Sequence, residues 1–130
     1  MRLRDRPEAD RPTQDDDADM ATETLYVAIL LFESTSSAPD HRPLYREDIV
    51  TLRARSLRSA RDRAERHGRA AEISHMNQAG EEIKDRLLEV VDVAPALDET
   101  DTSPADLYSR HFRDLTSYRR FDPLLDGEAL

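Results

Sequence analysis

The chain has 130 residues, of which 36% are charged, and its formal net charge is -9. This length is typical of a single domain. The absence of cysteine excludes disulfide bonds, thiolate metal sites and a cysteine nucleophile. The acidity lies at the ends, with about -4 in residues 1–24, about -1 in residues 25–97 and about -4 in residues 98–130. Because phosphate contacts need local positive charge, this balance argues against nucleic-acid binding.

Residues 1–22 contain two prolines, an acidic run at Asp15–Asp17 and almost no apolar side chain, so they are predicted to be disordered. The acidic run lacks the central glycine and the closing glutamate of a calcium loop, and no metal site is predicted. No apolar segment of a signal peptide follows Met1, and a cytoplasmic, soluble protein without a membrane partner is expected. Lys84 is the only lysine, and this preference for arginine fits a GC-rich bacterial coding bias.

Residues 25–32 form the only long apolar run, Leu-Tyr-Val-Ala-Ile-Leu-Leu-Phe. Eight residues are too few to cross a bilayer, and the run is apolar at both sets of alternating positions. This pattern predicts a strand that is covered on both faces and lies at the centre of a small sheet. Residues 33–40 are polar and small; they are either a solvated connection or a loop that borders a binding site. Leu44–Ala54 is predicted as the second strand.

Ser56 is predicted to cap a helix that runs to His67, with Gly68 as the left-handed residue after its end. The predicted inward stripe has helical spacing and consists of Leu57, Ala60 and Ala64. The outer face is basic and includes Arg58 and Arg61. It is either an interaction surface for an acidic partner or a phosphate, or a solvent face whose i,i+4 ion pairs are Arg58–Asp62, Arg61–Glu65 and Asp62–Arg66.

Residues 70–77 and 82–93 are predicted to form a hairpin whose three-residue loop ends in Gly80. This loop sets the opposite pairs Asn77–Glu81, His75–Ile83, Ile73–Asp85 and Ala71–Leu87. His75 and Asp85 then lie diagonally on one mostly apolar face, while Arg86 lies on the other face. A carboxylate beside an imidazole would raise the pKa of the histidine and allow proton transfer. The alternative is a polar pair that only satisfies itself.

The last predicted element is an amphipathic helix that begins at Pro104 and ends near Arg120. Ser103 would be its N-cap and Pro104 its first residue, with the Asp106 carboxylate in the first turn. Its apolar stripe follows i, i+3, i+4 spacing through Leu107, Tyr108, His111, Phe112, Leu115 and Tyr118.

From Tyr26 to Arg110 the chain resembles DUF4288, a bacterial family of unknown function. The matching pieces are residues 26–33, the small-residue helix with Ala60 and Ala64, Asn77 with Gly80-Glu81, residues 91–93 and residues 107–110. The family's last strand often carries a tryptophan where this chain has Asp85. The resemblance supports the fold and implies no activity.

The predicted fold is α+β: a four-stranded, mainly antiparallel sheet in the order β-β-α-β-β, one packed helix and a C-terminal amphipathic helix. A single domain is expected over residues 23–121, followed by a flexible tail at 122–130. The apolar surface of the first strand exceeds what one alanine-rich helix covers, so the last helix or a homodimer is expected to cover the rest.

Two functions follow from these patterns. No Gly-rich phosphate loop, G-x-S-x-G or H-E-x-x-H motif is present, which favours a non-catalytic interaction module, an adaptor or immunity-like binder, over an enzyme. Its acidic ends favour a partner with a basic surface, and its interaction residues are predicted to be Arg58, Arg61, Tyr108 and Phe112. The alternative is a small-ligand protein or minor enzyme with a pocket between the sheet and the C-terminal helix, for which the candidate residues are Glu33, His75, Asp85 and Arg86. No cofactor is predicted for either.

Overall fold

The computed structural model describes residues 22–99 and 103–122. Its elements are, in chain order, strand β1 (Thr24–Ser36), strand β2 (Leu44–Ala54), helix α1 (Leu57–Ala70), strand β3 (Ile73–Met76), strand β4 (Glu82–Pro95) and helix α2 (Leu115–Phe121). The predicted α+β class and the order of strands and helices are confirmed. The predicted tails at 1–22 and 122–130 lie outside the described residues, except for Thr22 and Asp122.

The four strands form one antiparallel sheet in the order β2-β1-β4-β3, so β1 is a central strand as predicted. One face of β1 carries Tyr26, Ala28, Leu30 and Phe32, which pack in the same core as α1; we call this side of the sheet the helix face. The opposite side, which carries Val27 and Ile29, is called the far face. Both residues are at most 1% exposed, so β1 is buried on both faces.

Strand β4 has two extra residues, Leu88 and Val91, where its pairing with β1 shifts register. Such bulges bend a strand and increase its twist. They also change which residue between Leu87 and Val93 faces α1: Val90 lies opposite Leu30 and packs against the core, as Leu87 and Val93 do opposite Phe32 and Ala28. The sheet therefore curls around the helix.

Helix α1 begins as predicted, with the Ser56 hydroxyl accepting a hydrogen bond from the Ser59 N–H at 3.1 Å. Its predicted end is wrong, because the helix continues through Gly68 to Ala70. A Cβ on Gly68 would lie 2.8 Å from Leu87 Cδ2, so glycine here permits close packing on β4 and does not terminate the helix. The buried stripe is Ala60, Ala64 and Gly68, whereas Leu57 is 50% exposed and was wrongly placed inward.

The register predicted for the β3–β4 hairpin is confirmed at His75–Ile83 and Ile73–Asp85. The Gly80 N–H donates to the Asn77 carbonyl at 3.1 Å, and Gly80 has a φ of 80°. That left-handed backbone favours glycine and completes the predicted bulged turn. The predicted pair Ala71–Leu87 does not form, because Ala71 caps the end of α1.

The helix predicted from Pro104 is wrong over residues 104–114; helix α2 begins only at Leu115. Residues 106 and 107 instead pair with the residues that follow β4: the Leu97 N–H donates to the Leu107 carbonyl at 3.1 Å and the Asp98 N–H to the Asp106 carbonyl at 3.0 Å. These backbone bonds replace the helical ones. Helix propensity is a weak preference that tertiary contacts of this kind override.

Candidate functional site

The four predicted ligand residues are divided between the two faces of the sheet. On the far face Glu33 and Arg86 are opposite each other on β1 and β4, and Arg86 Nη2 donates to Glu33 Oε1 at 3.1 Å. The Tyr45 hydroxyl donates to the other carboxylate oxygen at 3.2 Å. This bond and the nearby negative charge raise the pKa of Tyr45. Both oxygens of Glu33 are therefore bonded within the protein.

Asp85 lies on the helix face, beyond the end of α1. Arg46 of β2 reaches it across β1, with Nη1 3.2 Å from the carboxylate, and the same guanidinium lies 4.5 Å from the centre of the Phe32 ring. Hydrogen bonding from Ser34, and then from Arg46, lowers the pKa of Asp85. The confirmed register places His75 on the same face as Asp85. Its electrostatic attraction to the Asp85 carboxylate is a smaller cause of the lowered pKa of Asp85. The arrangement is a bonded polar group that covers Phe32.

The predicted interaction residues Arg58 and Arg61 are exposed on α1. The i,i+4 ion pairs predicted for this helix are absent from the described part of the chain, where Glu65 pairs with Arg69 at 3.5 Å. Within that part Arg58 and Arg61 have no carboxylate partner. The basic outer face is thus present, and it is not neutralised as the solvent-face interpretation expected.

Tyr108, also predicted as an interaction residue, anchors the segment before α2 to the sheet. Its hydroxyl donates to the Asp92 carboxylate, and this bond, followed by burial, raises the pKa of Tyr108. Two residues later Arg110 lies 3.8 Å from Glu47. Because Asp92 is on β4, Glu47 is on β2 and β1 lies between them, the segment crosses the far face over Ile29.

The fourth predicted interaction residue, Phe112, belongs to an exposed apolar group next to α2. Its ring stacks on Tyr118, with centroids 4.7 Å apart and planes at 12°. Asp114 caps α2 by accepting from the Ser117 hydroxyl at 2.7 Å and from the Ser117 N–H at 3.0 Å, and these bonds lower the pKa of Asp114. We define the C-terminal aromatic cluster as Phe112, Leu115, Tyr118 and Phe121, whose exposed fractions range from 41% to 70%.

A half-open groove of about 450 Å³ separates this cluster from β2. Its lining includes Phe112, Tyr118 and Phe121 on the α2 side, with Arg110, His111 and Glu47 around them. This is the position expected for a pocket between the sheet and the C-terminal helix, but none of the four predicted ligand residues lines it. Phe121 was missed because the predicted helix stopped at Arg120.

Glu23 is a second feature that sequence reasoning missed. Its side chain is 3% exposed, and Arg63 of α1 lies 3.3 Å from Oε2, which ties the start of β1 to the helix. Its other oxygen, Oε1, has no hydrogen-bond partner among the residues that the structure describes. Because the N-terminal region is rich in acidic residues, the sequence alone does not distinguish Glu23 from the acidic residues that precede it.

In the portions 22–99 and 103–122, no three acidic or histidine side chains come together in a way that would hold a metal ion. The same portions include no helix of the length and apolarity required to span a bilayer.

The structure defines a small α+β protein with one antiparallel sheet, one packed helix and a crossing segment on the far face. Residues 25–109 match the family model described as "Domain of unknown function (DUF4288)", and the chain belongs to this family. Comparison with curated proteins and with solved structures gives no match.

Proposed function

We propose that this protein is a non-catalytic interaction module, an adaptor or immunity-like binder, that holds an acidic segment of a partner protein on its C-terminal aromatic cluster. The observation that supports this most is the exposure of Phe112 and Phe121, at 56% and 70%, beside a groove. Large exposed apolar side chains that are grouped and rimmed by charge mark protein interaction sites. Aromatic residues and arginine are also the types enriched in such interfaces.

The charge around the cluster determines the chemistry of the partner. Arg113, Arg119 and Arg120 flank the aromatic side chains, and none has a carboxylate partner in residues 22–99 and 103–122. These three arginines lie outside the lining of the groove, and their positive charge attracts an acidic segment and repels a basic one. The proposed partner thus differs from the basic one that the acidic ends of the sequence favoured.

Site-specific photocrosslinking in the native host tests the proposal. The photoreactive residue benzoylphenylalanine replaces Phe121 in the full chain, and the matched control carries it at Leu57 of α1, which is 50% exposed. We expect one partner protein to be crosslinked from position 121 through a peptide rich in Asp and Glu, and not from position 57. When the crosslinking is repeated in host lysate, the yield should fall as salt screens the arginines, over the range from about 0.05 to 0.5 M.

Charge reversal identifies which basic surface is used. The triple variant R113E/R119E/R120E should abolish the crosslink, whereas R58E/R61E/R66E, which reverses three arginines of α1, should leave it intact. Loss in the α1 variant alone would place the partner on the helix and contradict the proposal. Equal labelling of the partner from position 57, or a nucleic acid as the crosslinked species, would also contradict the proposal.

A small-ligand function remains the second candidate, because the groove volume of about 450 Å³ lies in the range of small-molecule pockets. Native mass spectrometry of the protein from its host would show such a ligand as an added small mass. The mass should disappear in F121A. If it persists in F121A and disappears in D85N, the ligand is held by the Asp85 group and not by the groove.

The proposal also assigns the protein to the bacterial cytoplasm. The single lysine among 19 basic residues supports a GC-rich bacterial source.

A further inference from the structure

Strand β2 is one edge of the sheet, and its outward backbone groups can be identified. The Ala96 N–H donates to the Leu25 carbonyl at 2.9 Å, so the backbone groups of Leu25 point toward β4. Because successive residues of a strand alternate in this direction, the even-numbered residues of β1 point toward β2. Their partners are the even-numbered residues of β2, such as Val50 opposite Ala28. The odd-numbered residues of β2 therefore direct their N–H and C=O groups away from the sheet.

The outward groups belong to Tyr45, Glu47, Ile49, Thr51 and Arg53. In the part of the chain that the structure describes, the only hydrogen bond to one of these outward backbone groups is from the Arg63 guanidinium to the Arg53 carbonyl. That bond agrees with the outward direction deduced from Leu25. Ile49, at the centre of this edge, is 61% exposed. A long edge strand with unpaired backbone groups and no proline is a template for pairing with another strand.

We propose that β2 pairs antiparallel with β2 of a second copy of this chain, about a two-fold axis at Val50, to give a continuous eight-stranded sheet. The charges along β2 select this occupant and this register. With the axis at Val50, Glu47 lies opposite Arg53 of the second copy, and symmetry repeats the pair. The hydrogen-bonded ladder then joins residues 49 and 51 of one copy to 51 and 49 of the other, and residues 47 and 53 at its ends, where the Arg53 carbonyl accepts a second bond besides the one from Arg63.

Neighbouring registers are less favourable. An axis at Glu47 or at Asp48 places two identical carboxylates directly opposite each other, which destabilises the pairing. An axis at Ile49 pairs Glu47 with Thr51 and leaves the charges unmatched. In the Val50 register both copies of α1 lie on one face of the joined sheet, and both C-terminal aromatic clusters lie on the other. The dimer does not depend on the proposed function, because it uses the edge of β2 and not the aromatic cluster.

Cysteine crosslinking tests the register, because the natural chain has no cysteine. At a Val50 axis the two copies of residue 50 form a non-hydrogen-bonded pair with Cα atoms about 4.5 Å apart, a distance that permits a disulfide. We expect V50C to give a crosslinked dimer under mild oxidation and I49C to remain uncrosslinked, since its two copies are displaced along the strands. Crosslinking of I49C alone, or of both variants equally, would overturn the proposed register.

Charge exchange tests the pairing itself by analytical ultracentrifugation. The wild type should sediment as a dimer, and E47R and R53E should each raise the dimer dissociation constant by about tenfold or more. The double variant E47R/R53E should restore the dimer. Such a rescue would show that the single variants weaken the dimer through charge and not through loss of folding. R110A removes only the contact between Arg110 and Glu47 within one copy and should leave the dimer intact. A monomeric wild type, or a double variant weaker than both single ones, would overturn the dimer.

Failure of the dimer and failure of the proposed function are distinguishable. In the monomeric R53E variant, benzoylphenylalanine at position 121 still reports on the partner protein. A partner crosslink from a monomer would leave the proposed function standing without the dimer.

Discussion

At the scale of single residues, Asp85 shows how a carboxylate that looked functional in the sequence is used. Its oxygens are bonded by Ser34 and Arg46, which also lower its pKa. A carboxyl group with a lowered folded-state pKa contributes stability that is complete above the unfolded pKa, near about 4. That contribution to stability is lost as pH falls through the lowered folded-state pKa.

We predict that D85N lowers the free energy of unfolding by about 1 kcal/mol at pH 7, because the charge-assisted bond from Arg46 weakens. The difference from the wild type should shrink as pH falls below about 4, through the lowered pKa of Asp85. Urea unfolding at pH 7, 4 and 2.5 measures it. D62N is the control, because Asp62 is an exposed carboxylate of α1 without an ion pair in the described residues. A difference independent of pH would show that Asp85 acts through packing and not through its charge.

At the scale of elements, the contact between α1 and β4 depends on Gly68. A methyl group there would lie 2.8, 3.0 and 3.3 Å from three atoms of Leu87, which is 4% exposed and has little room to move. Overpacking costs about 1–3 kcal/mol, whereas alanine gains up to about 1 kcal/mol over glycine inside a helix. We therefore predict that G68A is less stable than the wild type by about 1 kcal/mol in urea unfolding.

The same substitution should have the opposite sign when Leu87 is shortened. In the L87A background the space beside Gly68 is open, so adding G68A should stabilise the protein by roughly 0.5–1 kcal/mol through helix propensity. Equal effects of G68A in both backgrounds would show that Leu87 does not limit the approach of the helix to the sheet.

These elements also show what the sequence could predict. The β3–β4 register was predictable because the turn from Asn77 to Gly80 sets it locally. The end of α1 was not, because Gly68 is kept inside the helix by a residue 19 positions away. The helix predicted from Pro104 failed for the same reason: Tyr108 is bonded to Asp92 of β4, and no local pattern reports that bond.

The functional surfaces were likewise predictable only in part. Phe112 was predicted from helical spacing, although the helix that motivated it does not form there. The edge of β2 was missed because a single sequence does not give the order of strands in a sheet. The outward direction of its odd-numbered backbone groups follows only once β1 is known to lie between β2 and β4.

At the scale of the whole molecule, the segment before α2 closes the far face of the sheet, and the bond from Tyr108 to Asp92 holds it there. We predict that Y108F lowers the free energy of unfolding by about 1–2 kcal/mol, because the Asp92 carboxylate loses a donor in a partly buried place. Hydrogen exchange locates the effect. The amides of Leu97 and Asp98, which are bonded to residues 107 and 106, should exchange about tenfold faster.

The pKa of Tyr108 gives this prediction a second test. Its folded-state pKa is raised, so the contribution of the bond is complete below the unfolded pKa of about 10 and is lost as pH rises through the folded-state value. The stability difference between the wild type and Y108F should therefore narrow above about pH 10. Y118F is the matched control, because the Tyr118 hydroxyl has no hydrogen bond in the described residues and its removal should leave both amides unchanged. Unaltered exchange at Leu97 in Y108F would mean that the pairing between residues 97–98 and 106–107, and not the tyrosine, holds the segment across the sheet.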